Sequence, residues 1–223
     1  PRTMRRYILY FPLYMAADEF DIGLDKDAAV KPFGFSRDTR IGVYGTSITH
    51  GCSASRPGMA YTNLLSRRTD EEVLNFGFSG VAFMEPEMGE ILGKRRLDFL
   101  VVDAEANAGV DERMRRNAEP FLNAFLQCKP QTPVLLFSRV ALALDLYDEA
   151  RARLHRFYVG FLRELAQKFR RRGYRVFFAD GTNIFKGNFT EYFTDGIHPT
   201  DRGMAELARA YERQIGRIRR ELK

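Results

Sequence analysis

A hydroxyl, an imidazole and a carboxylate are the parts of an acyl-transfer site, and this sequence holds one of each where it could be used. Arg40 to Gly51 reads R-I-G-V-Y-G-T-S-I-T-H-G, an apolar run, then small and polar residues around Ser47, then a turn. Ile41, Val43 and Tyr44 predict a buried parallel strand, with Gly45 and Gly51 where the backbone must turn beyond its end. The Ser47 hydroxyl then stands at the carboxyl edge of a sheet, where ligands of open α/β folds sit, with a loop serine capping the next helix as the competing reading of this stretch alone. Thr194 to Gly203 reads T-D-G-I-H-P-T-D-R-G, which puts Asp195 and His198 together just ahead of a helix that Thr200 can cap. A serine nucleophile needs a base for its proton and a third group to hold that base in one tautomer. Ser47, His198 and Asp195 supply those roles. An Asp-x-x-His pair alone fits a capping aspartate beside an idle histidine equally well, and its force comes from the pairing with Ser47.

A tetrahedral intermediate also needs preorganised donors for its oxyanion. N-F-G-F-S-G, from Asn75 to Gly80, follows a second predicted strand and offers the backbone N–H of Gly80. D-A-E-A-N-A-G, from Asp103 to Gly109, follows a third and offers the side-chain amide of Asn107. With the N–H of Ser47 itself, these donors lie on neighbouring loops of one edge, the competing readings being a plain turn glycine for Gly80 and a helix cap or turn residue for Asn107. Arg56 and Arg139 are candidates for contacting a polar substrate, with plain surface arginines as the competing reading. Of the other two histidines, His155 falls in a long helix as a packed or surface residue, and His50 lies near Ser47 with no carboxylate in close sequence. Ser79 is a rival nucleophile, but Val81 occupies the last glycine position of a G-x-S-x-G elbow. G-T-S-I-T-H-G lacks the Lys-Ser/Thr ending of a phosphate loop, so nucleotide binding is not expected. Asp103, Glu105, Asp180 and Asp195 show no clustered metal-ligand spacing, and no metal or other cofactor is expected.

These side chains need a scaffold. The 223 residues suffice for one sizeable α/β domain with a full core. Strands are predicted at Ile41–Tyr44, Val73–Phe76, Phe99–Asp103, Val134–Ser138 and Arg175–Ala179. Helices are predicted near Met59–Arg68, Pro86–Gly93, Glu112–Gln127, Tyr147–Arg172 and from Asp201 towards Arg219. Short apolar runs joined by helical crossovers imply a doubly wound parallel sheet, a three-layer α/β/α sandwich. Leu154, Phe157, Phe161, Leu165 and Phe169 recur at helical spacing as the expected core-facing stripe of the fourth helix. Residues 1–36 differ in character and read as two strands with a loop, Pro12 favouring an edge position. Two strands alone are marginal in water, so this segment must lean on the main domain, residues 37–223, or on a sheet from elsewhere.

Composition excludes several function classes. No apolar stretch approaches the roughly 18 residues that cross a bilayer, and the chain reads as soluble. The net charge of +6 comes largely from Arg170–Arg172 and the final helix, where it is interleaved with Glu212 and Glu221. That is a solvated helical face, without the aromatic stacking pattern of a nucleic-acid binder. Cys52 and Cys128 are read as two unpaired thiols. No export signal is visible and the chain opens on Pro1, so the compartment stays open, export with the signal removed included. Oligomeric state is equally open.

Taken in order, these blocks resemble the SGNH hydrolases, the GDSL-type esterase and lipase superfamily. The serine block matches at Gly45–Ile48, the glycine block at Gly80, the asparagine block at Asn107 and the last block at Asp195–His198, spanning Arg40 to the C-terminus. G-T-S-I stands where the signature has G-D-S-L, and A-E-A-N-A where many relatives have G-x-N-D. G-T-S-I-T-H-G with S-R-P-G-M-A-Y and N-F-G-F-S-G is similar to a bacterial branch carrying an N-terminal β-sandwich. On that resemblance residues 1–36 would be the tail of such a sandwich and its linker. The resemblance implies a flavodoxin-like five-stranded fold, no metal, and hydrolysis of short acyl esters, often acetyl on carbohydrate, with a small-molecule or carbohydrate ester as partner. Two alternatives remain beside it: a catalytically silent carbohydrate-binding protein on the same fold, and a thioesterase or phospholipid-type acylhydrolase.

Overall fold

Alternating apolar strands and amphipathic helices leave one economical solution, and the computed structural model, which describes residues 3–223, adopts it. The parallel strands are β1 (Arg40–Gly45), β2 (Glu72–Gly77), β3 (Phe99–Asp103), β4 (Val134–Phe137) and β5 (Val176–Ala179). They form one sheet in the order β2-β1-β3-β4-β5. The helices are α1 (Ser47–His50), α2 (Tyr61–Thr69), α3 (Pro86–Gly93), α4 (Glu105–Ala108), α5 (Arg113–Cys128), α6 (Glu149–Arg171) and α7 (Asp201–Glu221). Chain direction through the sheet reverses between β1 and β3. That switch point leaves a crevice at the carboxyl ends of the two strands, the ligand-binding place of such folds.

Strand residues alternate between two cores, as a period of two requires. Ile41, Val43, Phe99, Val101, Leu135, Phe137 and Phe177 face α2 and α7, where Tyr61, Leu65, Met204, Leu207 and Tyr211 meet them. Tyr44, Leu100, Val102, Val134, Leu136 and Val176 face α3, α5 and α6. Each fully buried side chain of this size contributes roughly 1.5 to 3 kcal/mol. The far end of α7 is pinned through Arg219, whose two terminal nitrogens lie 2.7 and 2.6 Å from the buried Glu71 carboxylate between α2 and β2.

Two expectations are corrected. Residues 3–39 carry no strand: the segment is irregular and largely exposed, Pro12 included. A strand needs a ladder partner, and neither edge of the sheet supplies one. Side chains hold the segment instead, through Tyr10 Oη to Arg67 at 2.7 Å and Ser36 N–H to Asp70 at 3.2 Å. The stripe of α6 is also rotated from the one expected. Leu165 and Phe169 are buried and Phe161 partly so, but Leu154 and Phe157 stand 37% and 48% exposed. His155, Tyr158, Leu162 and Ala166 complete the buried face. His155 enters it because a carboxylate waits inside, and the exposed Phe157 ring lies beneath the Arg115 guanidinium.

Candidate active site

Ser47 opens α1 immediately beyond β1, with Thr46 as the cap whose hydroxyl accepts from Ile48 N–H. So short a helix can sit on the strand ends only because β2 finishes in glycine. A Cβ on Gly77 would lie 2.1 Å from His50 N. As the first helical residue, Ser47 also has a backbone N–H that no helical carbonyl claims.

His198 arrives from the other end of the chain. Phe193 and Pro199 form an isolated antiparallel bridge, and Thr194 N–H donates to His198 O at 2.9 Å, closing the loop between them. Inside it, Asp195 Oδ1 accepts the N–H groups of Ile197 and His198 at 2.9 and 2.8 Å, an Asx turn. Its other oxygen lies 2.6 Å from His198 Nδ1, and His198 Nε2 lies 2.9 Å from Ser47 Oγ. Burial pushes the Asp195 carboxyl up, but bonds from the His198 ring and from both N–H groups outweigh it and hold it at about 2. An ionised Asp195 can only accept, so Nδ1 carries the ring proton and Nε2 faces the Ser47 hydroxyl as an acceptor. The loop is moored where Ser55 N–H donates to Asp201 Oδ1 at 2.9 Å, at the start of α7.

Gly80 and Asn107, the expected oxyanion donors, follow β2 and β3 at the carboxyl edge where Ser47 follows β1. Gly80 has φ +79, an arrangement that disfavours any side chain, and a Cβ there would meet nothing within 4 Å. Asn107 lies in α4 after β3, at the switch point. Its Oδ1 accepts Ala82 N–H at 3.3 Å, which ties the loop after β2 to α4 and directs the amide N–H groups away from that bond.

The two arginines fare differently. Arg56 is exposed, its guanidinium 3.2 Å from Ser55 Oγ, beside an open groove of about 460 Å³ shared with Tyr10, Pro57, Gly58, Met59 and Arg67. Arg139 is not at the surface: it is 6% exposed and forks onto Asp145 at 2.6 and 2.9 Å, with Glu105 Oε1 3.4 Å from its Nε. A substrate contact is replaced by a structural one. Glu105 opens the helix that carries Asn107, accepts Arg139 N–H at 3.0 Å, and lies 2.7 Å from His155 Nδ1. His155 Nε2 reaches Thr182 Oγ1 at 3.0 Å. Sequence reading missed this cluster, since nothing marks Glu105 and His155 as neighbours except the unusual burial of both. His50 does find partners: its ring nitrogens meet Ser79 Oγ and Leu13 O. Ser79 lies with that histidine and Tyr14, not with His198. No group of three or more His, Cys, Asp or Glu among the described residues is arranged to hold a metal ion. None of the described helices is long and apolar enough to cross a membrane.

A family model described as the GDSL-like lipase/acylhydrolase family matches residues 38–216. A solved protein from Bacteroides ovatus, described as a GDSL-like lipase, is 27% identical with a TM-score of 0.76, over 82% of this chain and 54% of its own. The salicylyl-acyltransferase SsfX3 of a tetracycline biosynthetic pathway is 21% identical, TM-score 0.69, over 88% of this chain and 57% of its own. The family 3 carbohydrate esterase of Clostridium thermocellum is 15% identical, TM-score 0.62, over 81% of this chain and 97% of its own. The chain thus spans little more than half the length of the first two. No curated protein matches the sequence.

Proposed function

Since the chain belongs to the GDSL-like lipase/acylhydrolase family, we propose that it is a serine esterase that cleaves short acyl esters, acetyl foremost, from a carbohydrate alcohol. The observation that carries this reading is the relay from Ser47 Oγ through His198 to Asp195, at 2.9 and 2.6 Å. Ser47 attacks the acyl carbon as His198 Nε2 takes the hydroxyl proton, and ionised Asp195 stabilises the imidazolium. The N–H groups of Ser47 and Gly80 and the Asn107 amide receive the oxyanion. His198 then returns the proton to the departing alcohol. Water, deprotonated by the same nitrogen, releases the acyl group from Ser47 and restores the enzyme.

Short acyl groups and a bulky alcohol suit the openness of the site. Ser79 and Gly80 are exposed and a Cβ on Gly80 would meet no atom within 4 Å, which supports an open edge on this side of Ser47. Carbohydrate is placed first because the fold is shared with a carbohydrate esterase. The test is p-nitrophenyl ester hydrolysis by the chain beside Ser47→Ala, with acyl length varied from acetyl to octanoyl and acetylated oligosaccharides assayed next. Activity that vanishes with Ser47 and fades with acyl length is expected. Equal rates in both proteins would end the serine mechanism, and a preference for octanoyl would end the short-acyl assignment.

A further inference from the structure

The tip of the loop that carries Gly80 receives little from the core. Phe78 N–H donates to Gly45 O at 2.8 Å at one side, and Ala82 is held at the other, but Ser79 and Gly80 between them are exposed. The side-chain bonds at this tip come from elsewhere: Ser79 Oγ lies 2.9 Å from Tyr14 Oη and 3.1 Å from His50 Nδ1.

The protons of this cluster have one consistent arrangement for a neutral ring. His50 Nε2 faces the carbonyl oxygen of Leu13, which can only accept, so Nε2 carries the proton and Nδ1 is an acceptor. Ser79 therefore donates to His50, and its oxygen accepts the Tyr14 hydroxyl proton. The Tyr14 ring also lies flat on the His50 ring, centroids 4.0 Å apart at 19°. Next to it, the Leu13 side chain covers the end of α1, where a Cβ on Gly51 would come within 2.5 Å of Leu13 Cδ1. Two consecutive residues of the irregular N-terminal segment thus touch both the helix that begins with Ser47 and the loop that presents Gly80.

We infer that Tyr14 is a positioning residue for the reaction proposed above, acting with His50 and Ser79 to hold the Gly80 N–H where the oxyanion forms. An oxyanion donor acts through preorganisation, so a tip left free must be ordered again at each turnover. The loss appears in kcat, because the ground-state ester does not depend on that donor to the same degree. The N-terminal segment is on this account part of the active centre and not a passive extension.

Tyr14→Phe, Ser79→Ala and the double variant test the inference, each read by steady-state kinetics with p-nitrophenyl acetate and by amide hydrogen exchange without substrate. Both sites are exposed and neither change removes core, so all three are expected to unfold at the urea concentration of the parent. Each single variant should lower kcat about fivefold to tenfold with KM unchanged, the double no slower than Ser79→Ala, as one shared bond requires. Exchange of the peptide carrying Ser79 and Gly80 should quicken in all three. Unchanged exchange, additive losses, or a rise in KM at constant kcat would each overturn the clamp. A parent chain that hydrolyses no ester fails the esterase reading instead, and the clamp is then decided by exchange alone.

Discussion

Ser47 and His198 are 151 residues apart in sequence and 2.9 Å apart in space. The sheet order brings this about. β1 lies in the sheet interior, so the residue beyond its end is open to a loop returning from the far side of the chain. The third member is Asp195, which decides which ring nitrogen faces the serine.

Asp195→Asn should lower kcat by roughly 10³ to 10⁴ at neutral pH, because an amide can present N–H to the ring and favour the wrong tautomer. The Asp195 carboxyl sits at about 2, below its ordinary range. Its ionised form and the bonds to it are therefore in place above that range and are lost only as pH falls through about 2. A pH–rate profile of the parent should show no inflection from Asp195 at any pH where the protein is folded and active.

Asn107→Ala should lower kcat by about a hundredfold to a thousandfold, the usual effect of losing one oxyanion donor. Asn107→Asp separates the two roles of this side chain, since it keeps an acceptor for Ala82 N–H and removes the donor. If donation matters, the aspartate variant is as slow as the alanine one. Recovery in the aspartate variant would assign Asn107 to holding the loop.

Asp103 gives a stability prediction. Burial pushes its carboxyl up to about 7, the nearby Glu105 charge adding to this and the Tyr211 hydroxyl, at 2.6 Å, opposing it. The folded chain thus keeps a proton that the unfolded chain releases near its ordinary carboxylate range. Stability from this group is full below about pH 4 and is lost as pH rises towards about 7, on the order of 4 kcal/mol in all. Asp103→Asn should flatten that slope, which urea unfolding at about pH 5 and about pH 8 measures.

Arg139 is predicted to matter for folding and not for affinity. Arg139→Ala strands the buried Glu105 carboxylate and the half-buried Asp145 beside it, and breaking such a pair costs about 3 to 5 kcal/mol, or roughly 6 to 20 °C in Tm. KM of the remaining folded protein should be unchanged. A raised KM with an unchanged Tm would return Arg139 to the substrate site.

The scaffold was legible where local pattern and burial agree. Phe99–Asp103 and Pro86–Gly93 were read to the residue, and the other strands and longer helices to within a few, because an apolar run between glycines or an amphipathic repeat carries its own signal. Ser47, Asp195 and His198 were legible because each stands beside a turn at the end of such an element. Residues 3–39 form no strand because an apolar run becomes one only where a partner edge exists, and sequence does not show where such an edge lies. The rotated face of α6 has the same origin: His155 is polar by type, and only Glu105, 50 residues earlier, makes it a core residue. Arg139 and Tyr14 depend likewise on long-range partners with no local mark.

The loop that supplies His198 is fixed by the start of the last helix, with Thr200 capping α7 and Asp201 holding Ser55. During synthesis, therefore, the nucleophile leaves the ribosome long before its base. On the proposed mechanism Ser47 is an ordinary alcohol until α7 docks, and a nascent chain carrying the finished β1 loop would not acylate itself on metabolites it meets. The proposed reactivity would then be switched on by the completion of folding.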